Sequence, residues 1–331
     1  MKKLYTLTLL AISFLGFSQV TLPHYEGFDY AAAAALQTQT GWALVNSGDD
    51  IVVASGNLSF AGLAASTGNK IGFGGAGIDA SKLITTQTTG TIYYSLLLNV
   101  SSMAGVTNTN GGYLAGFGQD AITFGGTLWT KRIDDSSYNI GLEVRTATTT
   151  FTSWLPTTYV TGQTLFIVVA YTFHLAGGPI DDTTSIWINP TPGAVEPAAT
   201  ITDTHAGTDL ASINRFFLRQ DSVTETPVLE IDELRIGTTW ADVTPAAVLS
   251  VNDNSIAGLK MYPNPVSGNN LYISSDTNSV KNVTIYDIVG KQVLNTKISS
   301  EAINVSNLNS GVYVVKITED GKTATRKLVI K

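Results

Sequence analysis

The chain has 331 residues, 44% of them hydrophobic and only 14% charged, with 31 Gly, 10 Pro and no Cys. This balance excludes a disordered, charge-driven chain, and the lack of cysteine excludes a disulfide scaffold, a thiolate zinc site and a cysteine nucleophile. A net charge of −7 argues against a nucleic-acid partner. Turn-forming Gly, Ser, Thr and Asn clusters between short apolar runs predict an all-β protein.

Met1-Lys2-Lys3 is a short positive region ahead of an apolar run from Leu4 to Phe17, followed by Ser18 and Gln19. The pattern predicts a signal peptide over 1–18, cut between Ser18 and Gln19. The run is shorter than the ~20 residues that span a bilayer. No later stretch reads as a transmembrane helix of the mature chain.

Eight basic residues stand against twenty acidic ones in 19–246, and nine against six in 247–331. The asymmetry predicts a boundary, with a passenger over 19–246, a linker over 247–257 and a C-terminal domain over 258–331. In the passenger, strands are expected at 51–55, 57–60, 90–100, 112–117, 121–124, 139–145, 164–173, 184–188, 212–219 and 229–236. The apolar runs at 91–100 and 165–173 read as central strands covered on both faces.

Tyr25-Glu-Gly-Phe-Asp-Tyr30 with Gly41-Trp42, Ile186-Trp-Ile-Asn-Pro190 and Ile231-Asp-Glu-Leu-Arg-Ile-Gly-Thr-Thr-Trp240 resemble the concanavalin-like, laminin-G-like jelly-roll family. The resemblance implies a large β-sandwich in which the opening and closing strands pair. It specifies fold better than ligand.

Candidate chemistry in the passenger is sparse. Glu230 and Asp232 share a strand face, but Leu234 takes the third position of a Glu-x-Asp-x-Glu hydrolase motif and Glu233 is expected to point away. No catalytic set is expected. Gly72-Phe-Gly-Gly-Ala-Gly77 lacks the strand-to-helix context of a dinucleotide loop. His24, His174 and His205 have no metal spacing. Asp181-Asp182 is the leading candidate for calcium, which takes six to eight oxygen ligands. Trp129 and Trp154, expected near loops, are the candidates for stacking on a sugar, whereas Trp42, Trp187 and Trp240 are expected to pack.

The last residues read as short strands with a hairpin turn at Glu319-Asp-Gly321. Leu259-Lys-Met-Tyr-Pro-Asn-Pro265, Val283-Thr-Ile-Tyr-Asp-Ile-Val-Gly-Lys-Gln-Val293, Leu308-Asn-Ser-Gly-Val-Tyr-Val-Val-Lys-Ile317 and Arg326-Lys-Leu-Val-Ile-Lys331 resemble, in this order, the type IX secretion C-terminal sorting domain, type A. The resemblance implies a small Ig-like sandwich read by an outer-membrane translocon. It places the protein outside a Gram-negative cell, by way of the periplasm, on the surface or released. Pro263, Asn264 and Pro265 would stiffen the entry, and Gly290 and Gly311 would allow turns. Tyr313 would face the core, and Arg326 and Lys327 would be offered to the translocon. The expected function is a non-catalytic jelly roll binding glycan or another extracellular partner. A polysaccharide hydrolase and a structural adhesin are the alternatives.

Overall fold

The two longest apolar runs become neighbouring strands, Gly90–Ser102 and Thr164–Phe173, paired antiparallel along their whole shared length. Ile92, Tyr94, Leu96 and Leu98 face one core, and Tyr93 and Leu97 face another, which is why the run alternates so little. The structure is a computed structural model and describes residues 19–145, 151–175, 181–204, 209–247, 256–277, 279–299 and 302–331. The expected signal peptide with Ser18, most of the expected linker, Gly177 to Pro179 and His205 lie outside the described residues. Gln19 is exposed. The chain divides into two compact units, Met1–Ala247 and Val248–Lys331.

The larger unit is a sandwich of two antiparallel sheets. The first runs Ile201–Asp203, Thr183–Ile188, Thr164–Phe173, Gly90–Ser102, Val228–Gly237, Lys70–Phe73, Val52–Ala54. The opening strand His24–Glu26 also joins it, pairing antiparallel with Leu234 to Ile236 of the closing strand, as the jelly-roll resemblance implies. The second sheet runs Ser153–Val160, Ser137–Arg145, Phe124–Asp134, Gly112–Gly118, Ile213–Leu218, Ala80–Gln87, Trp42–Leu44.

Residues 57–60, expected as a strand, are not one. They form a loop that lays Leu58 and Phe60 on the outer face of the first sheet, beside Phe166, Trp187 and Trp240. The loop is pinned by the Leu58 N–H, which donates to Asp232 at 2.8 Å. This second apolar cluster seals that face.

The closing strand also departs from simple alternation. Asp232 pairs with Leu97 and Arg235 with Ser95, so one residue is extra, and Glu233 takes φ +56°. Such a bulge resets which side chains face the core. Leu229 and Ile231 point inward before it, Leu234 and Ile236 after it. Glu233 does not point away from its neighbours as expected. Its carboxylate lies 2.5 Å from the Arg235 guanidinium and accepts the Tyr25 hydroxyl at 2.5 Å.

The smaller unit has a three-stranded sheet, Lys260–Tyr262, Asn270–Ser274, Ile303–Asn304, and a four-stranded sheet, Gln292–Ile298, Lys281–Tyr286, Gly311–Glu319, Lys322–Ile330. Tyr313, Val315 and Ile317 enter its core with Leu328 and Ile330. Glu319 and Lys322 pair across Asp320 and Gly321, both at positive φ, which is the tight hairpin the sequence predicts. Asn264 ties its segment to the last strand, donating to the Lys327 carbonyl at 2.8 Å and accepting the Val329 N–H at 2.9 Å.

Two expectations fail in this unit. Gly311 opens a strand and has no positive φ, unlike Gly290 at +85°. Glu319 is no turn residue; its carboxylate is buried against Lys281 at 3.0 Å and also accepts from Ser275 and Thr277. Arg326 and Lys327 are both exposed, but adjacent strand positions send them to opposite faces.

Candidate functional site

Trp129 and Trp154 sit on strands rather than loops. They lie in one row across the second sheet, where Trp154 pairs with Gly141, Gly141 with Trp129, and Trp129 with Tyr113. At ~4.8 Å per strand, this row is roughly 14 Å long. None of the three aromatic rings belongs to the inter-sheet core, so the row lies on the outer face. Trp129 meets Tyr113 at 5.1 Å and Trp154 edge-on at 6.5 Å.

Glycine makes the row possible. A Cβ at Gly141 would lie 2.6 Å from the Trp154 ring, and one at Gly111 2.7 Å from it. Both glycines let the indole lie down on the sheet. The Trp129 indole N–H is spent on Thr127 at 2.8 Å. The Lys131 ammonium stands 4.3 Å from the centre of the Trp154 ring, and the Arg219 guanidinium 4.1 Å from that of Tyr113. Phe217 and Phe124, both buried, continue the apolar packing of the row, 4.2 Å apart, with Phe217 edge-on to Tyr113 at 6.0 Å.

Ionisable groups stand at the Tyr113 end. Arg219 is ion-paired with Asp221, and Glu225 accepts from Asn108. A hydrogen bond with Asp221, and then burial, push the Glu225 carboxyl up to about 7. The Glu225 backbone and Cβ press on Gly112, the residue before Tyr113. Sequence reasoning missed this pair, because its members gain their meaning only from the loop that turns Glu225 back onto Asp221.

On the sealed face, burial pushes Asp232 up to about 7 although it accepts from Leu58, Ser66 and Glu233. Asp232 and Glu233 are thus buried, whereas Glu230 is half-buried and ion-paired with Lys70 at 2.8 Å.

Asp181 and Asp182 are joined by Asp209, with one carboxylate oxygen from each inside 4.8 Å. Asp182 accepts the Tyr171 hydroxyl at 2.6 Å and the His174 N–H at 2.7 Å, while Asp209 accepts the N–H of Asp181 at 2.9 Å. Burial raises the Asp182 carboxyl. Among the described residues, Asp181 Oδ1 is buried without a hydrogen-bond partner. The donor set is all oxygen, as calcium requires. Asp209 could not be read from the sequence, being distant in the chain.

A cavity of about 960 Å³ opens beside the opening strand. Its Glu26 and Lys82 are 2.7 Å apart and nearly buried, and Glu26 also accepts from Trp42 and Tyr30. These groups satisfy one another and hold the first strand to the second sheet.

The chain thus consists of two β-sandwich units. Residues 260–331 match the family described as Secretion system C-terminal sorting domain. The chain thus carries a type IX sorting domain and belongs to the secreted and cell-surface proteins. It is 34% identical over 90 residues to the ulvan lyase NLR42 of Nonlabens ulvanivorans, covering 26% of this chain and 16% of that one. It is 29% identical over 89 residues to an endo-acting ulvan lyase of Formosa agariphila, covering 25% and 17%. The aligned stretches thus span about one sixth of these curated relatives and are too short to cover the larger unit.

Among solved structures, the carbohydrate recognition domain of Emp47p overlaps with a TM-score of 0.34 at 12% identity, over 63% of this chain and 95% of that one. The alginate lyase vAL-1 from Chlorella virus overlaps with 0.33 at 10% identity, over 60% and 93%. Among the described residues, no helix is long and apolar enough to cross a membrane.

Proposed function

We propose that the larger unit binds a polysaccharide outside the cell, on the outer face of its second sheet, without cleaving it. The row Trp154, Gly141, Trp129, Tyr113 carries this reading. Trp129, 7% exposed, forms the floor of this row, and the half-buried Trp154 and Tyr113 at its two ends are the rings a ligand can reach. Sugar rings present the C–H surfaces that stack on such rings, and their hydroxyls reach flanking groups such as Asn108 and Arg219. The outer face of the first sheet is packed by the cluster around Trp187 and Trp240. The names of the two partial relatives add polysaccharide as the ligand class to try first. Titration of the purified protein with algal, plant and bacterial polysaccharides tests the reading, with Trp129→Ala and Trp154→Ala as the diagnostic variants.

A catalytic reading has one specific observation in its favour. Glu225, held near neutrality by Asp221, stands at the end of the same row, with the Arg219 cation alongside. Such a carboxyl suits proton transfer at neutral pH. On this reading the chain depolymerises a bound polysaccharide with an activity that titrates near pH 7, and Glu225→Gln abolishes it. Binding with no fall in polymer length leaves the non-catalytic reading in place.

Within the same reading, Asp181, Asp182 and Asp209 take one calcium ion. Calcium at about 100 times its Kd raises the stability by about 2.7 kcal/mol. Thermal unfolding with calcium and with chelator measures it. A melting temperature indifferent to calcium, in the native chain as in Asp209→Asn, would dismiss the ion.

A further inference from the structure

The four-stranded sheet of the C-terminal unit has one face in the core and one in solvent. The outward row Tyr286, Val314, Lys327 crosses three adjacent strands in direct register. Val312 lies two residues along from Val314 on the same face, and the two valines are 42% and 41% exposed. Lys316, paired with Thr284 and Thr325, and Lys297, paired with Asn282, complete the face. The remaining outward positions hold Asn, Gln, Thr or Val; no Asp or Glu stands at any of them. Lys297, Lys316 and Lys327 are exposed and have no ion pair among the described residues.

A merely solvated sheet face mixes both charge signs and keeps apolar side chains scattered. Here two valines and a tyrosine adjoin, Lys316 and Lys327 stand next to Val314, and Lys297 lies further along the same face; none of the three has an ion-pair partner among the described residues. The charge of this face is opposite to that of the passenger it exports. A face of this kind complements a surface that offers carboxylates around an apolar floor.

We propose that this face, and not the exposed chain end alone, is the docking surface of the sorting domain, and that its occupant is an acidic, apolar-centred protein surface of the secretion apparatus. The inference rests on the sorting-domain assignment and is independent of what the passenger binds. Lys327 belongs to the face, whereas Arg326 points away from it.

The test is export of the full chain from a bacterium with a type IX system, read as protein in the medium and on the surface against protein kept in the periplasm. Lys297→Glu, Lys316→Glu and Lys327→Glu together are expected to cut export at least tenfold and leave folded protein in the periplasm. Val312→Asp with Val314→Asp is expected to do the same. The control, Lys260→Glu, Lys291→Glu and Lys322→Glu, makes the same charge change off the face and is expected to export normally. Circular dichroism of the retained protein checks that it is folded. If the triple variant melts early, Lys297→Gln, Lys316→Gln and Lys327→Gln decide in its place. Export of the face variants at the native level, or equal loss in the control, overturns the proposal. A native chain that is not exported in the same cells would instead overturn the sorting-domain reading.

Discussion

Lys281 and Glu319 show how much a single residue decides in a small sandwich. Their side chains are 0% and 2% exposed and 3.0 Å apart. Removing one partner of a buried pair strands the other charge and costs about 3–5 kcal/mol. Burial pushes the Glu319 carboxyl up, but hydrogen bonds from Ser275, Lys281 and Thr277, with the lysine's charge, outweigh it and hold it below its ordinary value of 4.5. Because the folded value is depressed, the unfolded chain binds the proton more readily. The stabilisation is therefore complete above pH 4.5 and is lost as the pH falls through the lower folded value. Glu319→Gln is expected to destabilise the C-terminal unit at neutral pH and to flatten its acid dependence. All five tryptophans precede residue 247, so tryptophan fluorescence follows the larger unit alone. The variant should shift the unfolding seen by circular dichroism and leave the fluorescence transition in place. A coincident shift of both signals would contradict this.

At the scale of elements, the aromatic row depends on strands whose register places a glycine between two indoles. Gly141→Ala puts a methyl group 2.6 Å from the Trp154 ring, so the ring has to lift. The expected outcome is a loss of polysaccharide affinity comparable to that of Trp154→Ala, with a melting temperature close to native; titration and thermal unfolding check it. Elements of this kind were legible to different degrees. The alternation of Tyr313, Val315 and Ile317 announced its strand, and the continuous run at 164–173 announced a doubly covered one. Ser153–Val160 escaped notice because Pro156 interrupts it, and a strand at the sheet's edge tolerates that. Ala80–Gln87 escaped because Lys82 reads as a surface residue, whereas Glu26 on the opposite sheet neutralises it inside. The bulge at Glu233 had no signal at all, since this non-glycine residue at positive φ is held by the distant Tyr25 together with Arg235 two residues on. Trp129 and Trp154 could be singled out as residue types, but their shared row rests on cross-strand register, which one-dimensional patterns do not carry.

For the whole molecule, the C-terminal sandwich is the address that takes the chain outside, where the larger sandwich is proposed to meet a polysaccharide. The central claim is that the outer face of the second sheet binds polysaccharide through its aromatic row. The most direct measurement is calorimetric titration of the purified chain, native and Trp129→Ala/Trp154→Ala, with a panel of extracellular polysaccharides. Aromatic contacts contribute roughly 0.5–1.5 kcal/mol each beyond the area they bury. Saturable binding of at least one polysaccharide by the native chain is expected, with at least about a tenfold loss of affinity in the double variant, titrated at a temperature where circular dichroism shows it folded, because losing the buried Trp129 also lowers its melting temperature. No binding across the panel, or binding that the double variant retains in full, would contradict the claim.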